Sequence, residues 1–175
     1  MLGSVTHVVG TLVGNPRPGS RTLNAALALS DAVRTASGGS AGPVVDAAEI
    51  ATELFAPGST AVRDALESLS AADILVVASP TYKATYTGLL KAVLDQAPGG
   101  WLRGKTVVPL LVAASDRHAL AVELHLRPVL VELGGSVPGR GLFLNESALA
   151  EPAGLTAGFA ELLTEAGWFT TPVGV

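Results

Sequence analysis

The feature that most constrains this chain is an alternation of short, unbroken apolar runs with longer stretches of helical periodicity. Ile74–Ala78 (ILVVA) and Lys105–Ala114 (KTVVPLLVAA) are apolar at nearly every position. A strand with one wet face alternates polar and apolar residues, so an unbroken run belongs to a strand covered on both faces. Strands of that kind form parallel sheets joined by crossover helices. The rest of the chain fits the same scheme. Val5–Val13 predicts a first strand, Pro43–Ala47 a short second one, and Ser136–Leu144 a weaker last one. Arg21–Thr35 places Leu23, Ala26, Leu27 and Val33 at helical spacing. Ser59–Ala72 does the same with Val62, Leu66 and Leu69, and Ser59 is its expected N-cap. Further helices are expected through Gln96, over Asp116–Leu133, and over Pro152–Trp168, with Ala36–Gly42 as a turn. The expectation is an α/β fold: a five-stranded parallel sheet with helices on both faces, as a single domain over residues 1–175.

Two prolines interrupt this scheme. Pro109 lies inside the Lys105–Ala114 strand and cannot donate to a ladder, so a bulge or a free edge is expected there. Pro128 lies inside the Asp116–Leu133 helix, where it removes an N–H and crowds Leu124 one turn back. That helix must kink or widen by a residue, and widened turns are frequent at functional sites.

Composition narrows the function classes. There is no cysteine, which excludes disulfides, thiolate catalysis and Cys-ligated metals. His7, His118 and His125 lack metal-ligand spacing, and no metal site is expected. The net charge is −4 with scattered Lys and Arg, so no nucleic-acid partner is expected. No apolar run reaches the length of a membrane span and no basic leader precedes one, which predicts a cytoplasmic protein. Charged residues make up only 15% of the chain. Two readings of that are open: apolar surface buried against another subunit, or a general bias toward Ala and Gly.

In a parallel sheet, ligands bind beyond the carboxyl ends of the strands, where the strand order switches. Three loops are therefore informative. The first reads Gly14-Asn15-Pro16-Arg17-Pro18-Gly19-Ser20-Arg21-Thr22 and runs into a helix. Free N–H groups at a helix start favour an anion, and the loop adds Asn15, Ser20, Thr22, Arg17 and Arg21, a set suited to a phosphate monoester. It matches neither GxGxxG nor GxxxxGK[ST], and an ordinary capped turn would also account for it. The second loop, Ser79–Gly88, sets Tyr82, Lys83 and Tyr86 at the sheet edge. They suit either a flat, partly polar ring or simple cover for the next helix. The third, Ala113–His118, has small residues that admit a ligand to the backbone; Asp116 is expected to cap the helix, and His118 has no visible partner. Lys91 and Asp95, one helical turn apart, read as a surface ion pair.

Together GNPRPGSRT, SPTYKATYTGLLKAVLD and LRGKTVVPLLVAASDRHALAVELHLRPVLVELGG resemble the NAD(P)H-dependent FMN reductases, over about Val8 to Gly135. The likeness is greatest to the flavin reductases of two-component alkanesulfonate monooxygenase systems. It implies a flavodoxin-like fold, FMN as cofactor, and NADPH or NADH as hydride donor. It also implies a flavin-dependent monooxygenase as partner, while the low charge and largely apolar pattern of the chain point to a homodimer or homotetramer. Carried over by motif, the phosphate contacts are Asn15, Arg17, Ser20, Arg21 and Thr22. The flavin-ring contacts are Pro80, Thr81, Tyr82 and Lys83, largely through backbone, with Ser115. No catalytic side chain is expected, because the cofactors carry the chemistry. The chain departs from the pattern in having Asn15 for a common Ser and Ala114-Ser115 for a common Gly-Gly. Leu124, beside His125, stands where relatives that release FMN carry an inserted aromatic or His. The alternatives are a flavoenzyme with retained FMN acting on quinones, azo compounds or metal ions, and a flavodoxin-type electron carrier.

Overall fold

The computed structural model describes residues 7–169. Its centre is a five-stranded, wholly parallel sheet of strands β1 (Val8–Val13), β2 (Ser40–Asp46), β3 (Ile74–Pro80), β4 (Thr106–Ala113) and β5 (Leu142–Asn145). The order across the sheet is β2-β1-β3-β4-β5. Helices α1 (Arg21–Ser37), α2 (Ala61–Ser68), α3 (Gly88–Leu94), α4 (Arg127–Glu132) and α5 (Leu155–Glu165) connect or follow the strands. Right-handed crossovers set α1 on one face, where α5 packs beside it, and α2 to α4 on the other. Every residue of β3 is buried, as its unbroken apolar run requires. Each of its larger side chains contributes about 1.5–3 kcal/mol by leaving water. Thr11 in β1 is buried too, and is satisfied by a 2.6 Å bond between its hydroxyl and that of Ser30 on α1.

Pro109 is accommodated without a bulge. Val107 donates its N–H to Ser136 on the β5 side, at 2.8 Å, so the odd-numbered amides of β4 face that way. The β4–β5 ladder begins only at Leu110 and Leu142, beyond a gap, and Pro109 sits where no partner strand asks for its missing N–H. The free edge is local to that gap, although β4 is an interior strand. On β2 the register shifts between Val9 and Thr11 of β1, which places Pro43 of this edge strand at an irregularity.

Several boundaries differ from those expected. Val5 and Thr6 of the first strand lie outside the described residues. The turn foreseen at Ala36–Gly42 shrinks to Gly38 and Gly39, because Gly38 takes the left-handed conformation (φ 66°) that ends α1 at once. Helix α2 starts at Ala61, two residues late, with Thr60 at the cap position, and it decays into a 3-10 turn at Leu69–Ala71. Strand β5 is shorter than Ser136–Leu144. Arg127 takes the carbonyls of Val137 and Gly139, at 2.5 and 2.8 Å, and these are then lost to any ladder. The last helix opens with a separate 3-10 turn at Pro152–Gly154.

The expected Asp116–Leu133 helix is broken. It consists of a 3-10 turn at Asp116–His118, a π-helical turn at Val122–Leu126, and α4. The widened turn lies immediately before Pro128, as the missing N–H demands.

Candidate functional site

From β1 the chain leaves to one side for β2, then returns across β1 to lay down β3. The strand order therefore switches between β1 and β3, and their carboxyl ends open a crevice. Residues 14–22 wrap one side of it. Asn15 is buried and organises the turn: its Oδ1 accepts from the Arg17 N–H at 3.0 Å, and its Nδ2 donates to the Thr22 hydroxyl at 2.9 Å. Gly19 takes φ +61°, which turns the chain into Ser20, and the Ser20 hydroxyl caps α1 by accepting from Leu23 N–H at 3.2 Å. The amides of Arg21 and Thr22, in the first turn, have no intrahelical carbonyl to meet. The Arg17 guanidinium has no partner among the described residues. Arg21, by contrast, is exposed and ion-paired with Glu146 at 3.2 Å.

The β3 loop forms the other side. Tyr82 and Thr85 exchange backbone bonds (2.8 and 3.3 Å) around Lys83 and Ala84, whose φ angles are 52° and 70°. This is the geometry of a type I′ turn without the glycine that usually permits it. Two consecutive non-glycine residues in the left-handed region store strain, and such strain clusters at functional sites. Tyr82 stands exposed on this turn while Tyr86 packs onto the core, so only Tyr86 serves as cover for the helix. Pro80 is buried at the end of β3, and Thr81 donates its N–H to the carbonyl of Val112 at 2.7 Å. The Thr81 hydroxyl is buried and has no hydrogen-bond partner among the described residues.

The third loop carries a correction. Ser115, not Asp116, caps the turn that follows β4, its hydroxyl lying 3.4 Å from the Arg117 N–H. Asp116 instead accepts from Asn145 Nδ2 at 2.7 Å, which ties the β4 loop to the end of β5. Lys91 and Asp95 form the expected surface pair at 2.5 Å; the Asp95 carboxylate holds the Lys91 ammonium above its usual range.

Four residues that the motifs did not single out hold these loops in place. The buried Ser79 accepts the Thr87 N–H at 3.0 Å. Thr87, also buried, caps α3 by accepting from Leu90 N–H at 3.1 Å and donates its hydroxyl to the Gly14 carbonyl, stapling the β1 loop to the β3 loop. A Cβ on Gly14 would come within 2.3 Å of Leu90 Cβ, so α3 can approach only because that residue is glycine. Asp46, at the end of β2, accepts the Gly19 N–H at 3.1 Å. Glu146 completes the set through Arg21. Thr87 was legible as a Thr directly before a helix; the partners of Ser79, Asp46 and Glu146 are remote in sequence.

A parallel 2-1-3-4-5 sheet with an anion-competent helix start and a strained turn at its switch point defines a flavodoxin-like protein. The chain belongs to the NADPH-dependent FMN reductase family, whose model matches residues 8–149. It is 41% identical over 93 residues to the FMN reductase (NADPH) of Escherichia coli (strain K12), covering 53% of this chain and 49% of that protein. It is 35% identical over 113 residues to the NADH-dependent FMN reductase SfnF of Pseudomonas putida, covering 62% and 61%. The chain thus spans about half to three fifths of the length of these curated relatives. Among solved structures, NADH:FMN oxidoreductase (EMOB) superposes with a TM-score of 0.73 at 28% identity, covering 95% of this chain and 92% of that one. An oxidoreductase from Corynebacterium diphtheriae gives the same TM-score at 26% identity, covering 93% and 99%.

Proposed function

We propose that this chain is an NAD(P)H:FMN oxidoreductase whose reduced flavin leaves to serve a partner monooxygenase. The observation that carries the reading is the meeting of the α1 start, the unpartnered Arg17 and the strained Tyr82–Thr85 turn at one switch point. The residues fit a flavin mononucleotide. Arg17 and the first-turn amides suit its phosphate, with Asn15, Ser20 and Thr22 holding the loop and Arg21 at the rim. Thr81 has an orphaned hydroxyl to offer and Lys83 a backbone outside the Tyr82–Thr85 exchange, with Pro80, Tyr82 and Ser115 as further contacts. When bound, FMN supplies the chemistry, taking hydride at N5 from a reduced nicotinamide. The protein's part is to anchor, orient and screen. Among the described residues no cluster could hold a metal ion, and no helix is long and apolar enough to cross a membrane.

Exchange of flavin is supported by the π-helical turn at Val122–Leu126, which turns Leu124 and His125 outward beside the β4 loop. Leu120, Leu124 and Val131 are 68%, 65% and 51% exposed, an apolar surface that supports a homodimer or homotetramer. Light scattering at micromolar concentration reads the assembly, and an active monomer would contradict it. The main test is steady NADPH or NADH oxidation by the purified protein with added FMN. Reduced FMN should pass a dialysis membrane, and the protein itself should be largely colourless. A yellow protein that stays yellow through dialysis and reduces quinones, azo compounds or metal ions would favour retained FMN. Failure to oxidise either nucleotide would favour an electron carrier.

A further inference from the structure

Asp46 is 6% exposed, and no Lys, Arg or His lies within salt-bridge distance of it among the described residues. Its two oxygens are held by amides alone: Oδ2 by Gly19 N–H at 3.1 Å and Oδ1 by Ala48 N–H at 3.1 Å. A buried carboxylate without a counter-charge is costly, and two neutral donors offset only part of the cost. This one lies against the last residues of the loop that, on the reading above, takes the FMN phosphate. It takes up the Gly19 amide, which is then not free for the phosphate, and adds negative charge beside a group that itself carries nearly two. Both effects weaken the anchor. An asparagine has one acceptor oxygen for these two amides, so it would keep one of the bonds and remove the charge.

We propose that Asp46 is a positioning residue whose buried charge keeps the FMN phosphate loosely held, so that flavin exchanges rather than stays. The inference rests on the placement of the phosphate at residues 15–22. It sets Asp46 against Arg17: one sheet-end acid limits what one loop cation gains. Because riboflavin has no phosphate, the charge acts on FMN and leaves riboflavin nearly untouched.

The test compares FMN and riboflavin affinities by flavin-fluorescence quenching in wild type and Asp46→Asn, with FMN release followed by stopped flow. Asp46→Asn should bind FMN tighter by on the order of tenfold, the scale of one charge removed beside a phosphate, and release it correspondingly more slowly. Riboflavin should stay within about twofold. Asp46→Ser, which is smaller and still accepts one amide proton, repeats the reading if the Asn variant is unstable. An unchanged or lowered FMN-to-riboflavin preference would overturn the proposal, since loss of a merely structural pin would loosen the phosphate loop and weaken FMN. Failure of both variants to fold would overturn it as well, by making the carboxylate a requirement of the fold. If wild type itself shows no preference for FMN over riboflavin, the phosphate placement fails instead, and the proposal goes with it.

Discussion

Replacing Thr87 by Val tests whether the crevice is held open by one buried hydroxyl. The change keeps the shape of the side chain and removes its oxygen. Two bonds go: the cap on α3, 3.1 Å from Leu90 N–H, and the hydroxyl's donation to the Gly14 carbonyl. Loss of an N-cap costs about 1 kcal/mol. Leaving the Gly14 carbonyl unpaired at a buried site costs about 1–3 kcal/mol more. A total near 3 kcal/mol lowers the Tm of a chain this size by roughly 6–12 °C. Urea and thermal unfolding measure it, with Thr87→Ser as the partner variant. Serine keeps both bonds and gives up one methyl group, so it should cost about 1 kcal/mol or less. A Val variant within about 0.5 kcal/mol of wild type, or a Ser variant as damaged as the Val one, would refute the reasoning.

Arg17→Ala should weaken FMN by about tenfold or more and leave riboflavin nearly unchanged, as for loss of one charge-assisted phosphate contact; equal loss for both flavins in a binding titration would remove Arg17 from the phosphate site. Deleting His125 shortens the π-helical turn by its extra residue and should regularise it. The deletion should retain FMN through dialysis and deliver reduced flavin more slowly, and unchanged exchange would reduce the segment to a proline kink. The Asp64 carboxyl titrates below its usual value of 3.8, chiefly through the Thr60 hydroxyl bond and then through Arg63. A lowered folded pKa gives stability that is present above the ordinary carboxylate range and is lost as pH falls through the lowered value. Thr60→Ala should therefore raise the Asp64 midpoint in an NMR titration, and an unmoved midpoint would discount the hydroxyl.

Periodicity alone determined the layers of this protein. Runs such as Ile74–Ala78 can only be satisfied by cover on both faces, which fixes a parallel sheet and its helices. The loop residues at the strand ends were legible as well, because polar and glycine-rich turns stand out against so apolar a chain. Pro128 announced a kink or a widened turn before it, since a missing N–H is a local fact, and the fold took the widened turn. Tertiary structure decided whatever depended on a distant partner. Pro109 looks awkward in sequence, and only the gap on its β5 side shows why it is tolerated. Asp116 looks like a cap, yet Ser115 took that role once Asn145 arrived from β5 to bind the acid. Arg21 looks free for an anion until Glu146, more than a hundred residues away, pairs with it. Asp46 shows only a turn cap on Ala48 in its neighbours along the chain, because its second bond is set by Gly19 in the loop after β1. Local geometry is written in consecutive residues, whereas a buried polar group's role depends on which remote donor the fold brings to it.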